Sequence, residues 1–165
     1  MSASHHPRRV PVLIALLSAG ALATAYVAEH GFGLEPCALC LWQRYPYWAA
    51  LGIGVLGTAG APVPRLARAS VALAALAFLA GAGVAGFHVG VEQGWWEGLP
   101  GCSGQVVREG MTVEELQETL EARTEVVPCD EPAFTFAGIS MAGYNLIASA
   151  ALAAGAVAAL WRRLV

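Results

Sequence analysis

Two cysteines three positions apart, Cys37 and Cys40, stand where a polar connection gives way to an apolar run. Arg44 follows one helical turn after the second. At this spacing two thiols are close enough for a reversible disulfide. On a continuous helix a guanidinium four residues beyond Cys40 shares its face, and it stabilises a thiolate there without losing its own proton. If that helix opens at Pro36, where a missing N–H is no loss, Cys37 lies in the first turn. Unpaired N–H groups and the helix dipole favour a thiolate at that position. The remaining cysteines, Cys102 and Cys129, fall in the one long hydrophilic segment. Four cysteines in two pairs at one membrane face suggest a protein that moves electrons between them.

The same residues admit other readings. A Cys-x-x-Cys can be half a zinc site, but zinc usually requires a second close pair or paired histidines. Cys102 and Cys129 are far apart in sequence, and His30 and His88 are the only other candidates on that face, so no metal is expected. Two permanent disulfides in a structural or partner-binding membrane protein form the competing reading, although a redox-spaced pair at a helix start is an odd clamp for a helix bundle. Arg44 could be a snorkelling interfacial residue, yet an arginine at the membrane boundary is expensive unless paired or hydrated. His88 closes the third apolar run at the depth of Cys40. It suits a polar contact or proton donor for a bound redox ligand, and equally a contact with lipid headgroups. Asn145, in the fourth run, suits a bond to a neighbouring helix.

The elements that position these residues are read from hydropathy. The chain is 57% hydrophobic and 13% charged, well below the roughly 25% charged of soluble domains. Apolar runs lie near 10–28, 45–61, 66–89 and 137–161, each about the ~20 residues that cross a bilayer. The second extends backward to Cys37, giving 37–61, with Pro46 expected to bend it. Tyr26, Tyr45, Tyr47, Trp95, Trp96 and Trp161 fall near run ends, where interfacial aromatics collect. The expectation is an all-α integral membrane protein, one domain over 1–165, folded as a bundle of four transmembrane helices.

There is no Lys, and six of the nine Arg (Arg8, Arg9, Arg65, Arg68, Arg162 and Arg163) flank the outer ends of the runs or the middle connection. By the positive-inside rule these segments, including both termini, are cytoplasmic. Connections 29–36 and 90–136 then lie on the opposite side with all twelve acids. In a bacterium the membrane is the inner one, and the cysteines face the oxidising periplasm. A second reading takes Arg8-Arg9, the run from Val10 to Ala21 and Ala23-Thr24-Ala25 as a signal peptide. Cleavage would leave three spans and move no cysteine across the membrane. Thr112-Val113-Glu114-Glu115 opens a short helix to about Arg123 through a capping box. Pro128-Cys129-Asp130-Glu131-Pro132 is turn-rich, so Cys129 is expected to move. No basic stripe supports nucleic-acid binding.

The string Cys37-Ala38-Leu39-Cys40-Leu41-Trp42-Gln43-Arg44, the four runs, the cysteine pair in the long loop, His88 near the end of the third run and Phe136-Ala137-Gly138-Ile139-Ser140-Met141-Ala142 together resemble the DsbB family of membrane thiol oxidoreductases. The resemblance covers nearly the whole chain. It implies that a soluble periplasmic DsbA-like thiol oxidase attacks a Cys102–Cys129 disulfide, with Cys102 forming the mixed disulfide. Electrons then pass to Cys37–Cys40 through exchange between Cys37 and Cys129. Cys40 lies beside a membrane quinone, ubiquinone rather than menaquinone, with Arg44 and His88 in the quinone site, and the quinone feeds the respiratory chain. Gln43 stands where some members carry an acid, so no role of that carboxylate transfers. The acidic stretch Glu109–Glu125 bears on partner choice in a way the sequence does not reveal.

Overall fold

A computed structural model describes residues 8–99, 102, 112–114, 117 and 127–162. Five helices and one two-stranded hairpin are defined there: α1 (Arg9–Phe32), α2 (Ala38–Trp42), α3 (Arg44–Ala59), α4 (Pro64–Glu92), β1 (Thr135–Phe136), β2 (Ile139–Ser140) and α5 (Met141–Trp161). Three of them, α1, α4 and α5, are long and apolar enough to cross a membrane. The loop helix expected from Thr112 to Arg123 lies mostly outside the described residues.

Several boundaries differ from the hydropathy pattern, and the differences build the site. α1 continues past Glu29 and ends where Gly33 takes a left-handed conformation with φ 67°, a backbone state natural to glycine. α4 likewise runs to Glu92, which puts His88 and Glu92 four residues apart on one face. The expected continuous helix over 37–61 is broken at Gln43 into α2 and α3. Pro46 accounts for the break: it offers no N–H to the carbonyl of Trp42, and its ring crowds that carbonyl. The proline therefore sits in the first turn of α3, where it is tolerated. At the other end of the chain, a hairpin precedes α5. Its two central residues, Ala137 and Gly138, both have positive φ, 49° and 78°, as a tight two-residue hairpin requires.

α4 is the central element, with its most extensive packing against α5 and a further face against α3; α1 completes the bundle against α3. Close approach relies on small residues. A Cβ on Gly54 would fall 2.8 Å from the backbone nitrogen of Ala15, so α1 and α3 touch backbone to backbone, as helices in lipid do. The core under this contact is built from Ile14, Tyr47, Ala50, Val71, Ala74 and Phe78. Leucines point the other way: Leu13, Leu16, Leu56, Leu73, Leu76 and Leu79 are all exposed. Small residues at the helix contacts and leucines exposed on the outside form the pattern of a bundle whose solvent is hydrocarbon.

Candidate active site

The site lies where the ends of α1 and α4 meet the start of α2, α3 and α5. Cys37 is the N-cap of α2 with extended backbone (ψ 170°), and its Sγ accepts the backbone N–H of Cys40 at 3.3 Å. Helix α2 therefore opens at Ala38 and Pro36 stays outside it. The two sulfurs lie 2.8 Å apart as free thiols in hydrogen-bond contact. Cys37 is buried, whereas Cys40 is half-buried. This asymmetry gives Cys37 to the protein interior and Cys40 to a boundary.

Cys102 and Cys129 form a disulfide with their Cα atoms 5.0 Å apart. Cys129 N–H donates to the carbonyl of Cys102 at 2.6 Å, and Cys102 N–H donates to Leu99 at 2.8 Å. Both cysteines are buried, at 1% and 0% exposure, in one apolar cluster with Cys37, Leu39 and Val91, against which Cys40, Phe87, Leu99 and Val127 pack. The bends at 129–131 agree with the turn chemistry of that stretch. The burial means that attack by another protein on Cys102 needs this segment to open.

His88 joins the two pairs. Its Nε2 lies 3.6 Å from Cys37 Sγ and 3.1 Å from the carbonyl oxygen of Cys129. On the other edge of the ring, Nδ1 is 2.6 Å from the side-chain nitrogen of Gln43. The ring is thus turned inward, with both nitrogens occupied by protein. Glu92 Oε1 stands 3.9 Å from Nε2, and its other oxygen accepts from Ser140 Oγ at 2.5 Å. Ser140 is in turn the N-cap of α5, accepting from Gly143 N–H at 3.1 Å. Asn145 bonds a neighbouring helix, as its place in an apolar run suggests: its amide donates to Gln43 Oε1, and its carbonyl accepts from Tyr47 OH at 2.8 Å. Ser149 Oγ closes this network 2.9 Å from Tyr47 OH.

Arg44 opens α3. Its Nη1 donates to Glu29 Oε2 at 2.6 Å, and its guanidinium lies 4.8 Å from the centroid of the Tyr26 ring. The charge is met by a carboxylate from α1 and an aromatic face. A paired, half-buried guanidinium at the edge of an apolar bundle satisfies the demand that such a charge not stand alone.

Sulfurs of Cys37 and Cys40 and a ring nitrogen of His88 lie within 4.8 Å of one another. That is metal-ligand spacing, with three of the four donors of a zinc tetrahedron. The chemistry these groups support most directly is thiol–disulfide exchange, since two cysteine pairs and an imidazole meet in one cluster.

Gln43, Glu29, Glu92, Ser140, Tyr47 and Ser149 complete the site, and sequence reading gave none of them a part in it. The available signal was weak: each is a polar side chain within a few positions of a helix end or in an apolar run.

A helical membrane-type bundle with two apposed cysteine pairs defines a class of thiol–disulfide oxidoreductase. The family model for disulfide bond formation protein DsbB matches residues 7–159, and the chain belongs to the DsbB family. Among curated relatives, disulfide bond formation protein B of Marinobacter nauticus is 32% identical over 142 residues, covering 82% of this chain and 80% of the relative. The protein of the same name from Albidiferax ferrireducens is 28% identical over 165 residues, covering 95% and 89%. That from Stutzerimonas stutzeri is 29% identical over 163 residues, covering 96% and 95%. No solved structure matches. Membership assigns the chain an oxidoreductase role in disulfide bond formation at a membrane.

Proposed function

We propose that this protein oxidises a soluble periplasmic DsbA-like dithiol protein and passes the electrons through its two cysteine pairs to a membrane quinone. One observation carries the reading: two cysteine pairs, Cys102–Cys129 and Cys37–Cys40, meet in one apolar cluster, with His88 in contact with Cys37 and Cys129. A structural role would not require two cysteine pairs to be apposed across an imidazole.

The exchange steps balance as follows. A partner thiolate attacks Cys102, forming a mixed disulfide and releasing Cys129 as thiolate. The second partner thiol displaces Cys102, so the partner leaves oxidised with the loop pair reduced. When Cys37–Cys40 is oxidised, Cys129 attacks Cys37 and releases Cys40 as thiolate. Cys102 then displaces Cys37, which restores Cys102–Cys129 and leaves Cys37 and Cys40 reduced. Each step is thiolate attack on a disulfide, and its direction follows relative potentials.

A quinone supplies an acceptor for the two electrons and two protons that leave Cys37 and Cys40. The residues fit such a group on one side only. Cys40 is half-buried, Leu41 and Trp42 beside it are exposed apolar side chains, and Arg44 supplies a nearby cation. These would hold a lipid-borne ring, ubiquinone in our reading. His88, with both ring nitrogens engaged inside the protein, serves the cysteines rather than the ring.

In this reading α2 and α3 together make a fourth crossing of the bacterial inner membrane, the termini are cytoplasmic and the cysteines periplasmic. α3 alone, with 16 residues, spans ~24 Å at 1.5 Å per residue, short of the ~30 Å hydrocarbon core. The test is reconstituted protein supplied with a reduced DsbA-like partner and ubiquinone. Quinone reduction by wild type that disappears in Cys40→Ser is expected. Absence of reduction by wild type, or undiminished reduction by Cys40→Ser, overturns the proposal.

A further inference from the structure

The relay needs four cysteines and an acceptor, yet the pocket also holds a buried amide in direct contact with the imidazole. We propose that Gln43 is a positioning residue that fixes His88 as the tautomer with a bare Nδ1 and a hydrogen on Nε2, aimed at the junction of the two cysteine pairs. The argument starts from the one group that cannot change role. The carbonyl oxygen of Cys129 only accepts, and it lies 3.1 Å from His88 Nε2, so Nε2 carries hydrogen. In a neutral imidazole Nδ1 is then an acceptor and requires a donor. Gln43 Nε2, 2.6 Å away, is that donor.

The rest of the chain follows. With its NH₂ toward His88, Gln43 turns its carbonyl to Asn145, whose amide nitrogen donates to it. Asn145 Oδ1 is left to accept, and it receives Tyr47 OH at 2.8 Å and Ser149 Oγ at 3.3 Å. Each contact from Tyr47 to Cys129 then pairs one donor with one acceptor. Gln43, His88, Tyr47 and Ser149 are all at least nine-tenths buried and Asn145 is half-buried, so a reversed Gln43 amide would set donor against donor at Asn145.

The residue type matters because a carboxylate at position 43 could only accept. It would demand hydrogen on Nδ1, and with Cys129 still demanding hydrogen on Nε2 the ring would become a cation. The amide asks for no hydrogen on Nδ1, and the one N–H, on Nε2, faces the Cys129 carbonyl at 3.1 Å, Cys37 Sγ at 3.6 Å and the Glu92 carboxylate at 3.9 Å. Resting on the relay proposed above, that N–H is placed to hydrogen-bond Cys37 as it leaves the Cys37–Cys129 bond with the electron pair.

The experiment is ¹⁵N NMR of full-length protein labelled at histidine, in lipid vesicles, with the His88 signals identified by their loss in His88→Gln. Wild type should show a bare Nδ1 and a protonated Nε2. Gln43→Glu, which keeps the shape, should place hydrogen on Nδ1. Asn145→Asp can no longer donate to Gln43 and should turn the amide round, with the same result at Nδ1. A protonated Nδ1 in wild type overturns the proposal, as does a bare Nδ1 in the folded Gln43→Glu or Asn145→Asp variant. These spectra need neither quinone nor partner, so a failure of the relay and a failure of this assignment are separate outcomes.

Discussion

His88 Nε2 lies 3.1 Å from the backbone carbonyl of Cys129, so one side chain of a transmembrane-type helix holds the loop disulfide in place. The same nitrogen reaches Cys37 Sγ at 3.6 Å. A single imidazole therefore touches both partners of the proposed exchange. Replacing it with leucine strands the Cys129 carbonyl and the Gln43 amide in a dry pocket, at about 1–3 kcal/mol for each unsatisfied group. His88→Leu should lower thermal stability and slow exchange between the pairs by about tenfold or more, since a hydrogen bond to a charged group such as the leaving Cys37 thiolate is worth about 1.5–3 kcal/mol. Stopped-flow measurement of the Cys129-to-Cys37 step checks this, and an unchanged rate in folded variant contradicts it.

Arg44 and Glu29 form a half-buried ion pair 2.6 Å long between α3 and α1. Arg44→His should raise the apparent KM for quinone while disulfide exchange of the partner with Cys102 survives. Glu29→Gln should raise the same constant, because it frees the guanidinium from its fixed position. Steady-state kinetics with varied quinone separates the two effects. Equal loss of quinone use and of partner exchange would mean that the ion pair only supports the fold.

Ser140 performs two tasks, capping α5 and donating to the buried carboxylate of Glu92. Ser140→Ala removes a cap, about 1 kcal/mol, and leaves Glu92 one donor short, about 1–3 kcal/mol. Ser140→Thr keeps both bonds. Thermal unfolding in detergent should show a clear loss for alanine and little for threonine. Equal melting temperatures for Ser140→Ala and wild type would contradict the assignment.

Gly90 lets the Trp96 ring lie against α4, stacked on Phe87 at 5.8 Å with its N–H on the Phe87 carbonyl. A Cβ at position 90 would overlap that ring. Gly90→Ala should displace Trp96, lower stability by about 1–3 kcal/mol as overpacking does, and shift tryptophan emission. Emission and melting unchanged from wild type would count against this packing.

Cys102 and Cys129 are almost fully buried, so a water-soluble phosphine should reduce their disulfide far more slowly in the folded protein than after denaturation. Val127→Ala, which loosens the surrounding cluster, should speed reduction. Equal rates in the folded and denatured protein would show that the pair is open.

The nearness of Cys37 to Cys40 and three of the four apolar runs were legible in the sequence because each rests on a strong local signal: rare residue types three positions apart, and stretches long enough to cross a membrane. The contacts around them were not. Hydropathy ends the first run before Glu29 and the third before Glu92, whereas the backbone hydrogen bonds continue to Phe32 and to Glu92 itself. The extra turns are what bring Glu29 to Arg44 and Glu92 to Ser140. Pro46 was readable as a bend, but not the break one turn upstream at Gln43, nor the pairing of Arg44 with Glu29 of α1. The inward turn of His88 depends on Gln43 and Cys129, both distant in sequence, and no spacing rule announces it.

The central claim is that electrons cross between the pairs through Cys37 and Cys129. A variant with Cys40→Ser and Cys102→Ser retains only those two thiols. Non-reducing peptide mapping of this variant, purified from oxidising cells, should recover a Cys37–Cys129 disulfide in most molecules. Recovery of both as free thiols, or bonded only between different molecules, would contradict the relay.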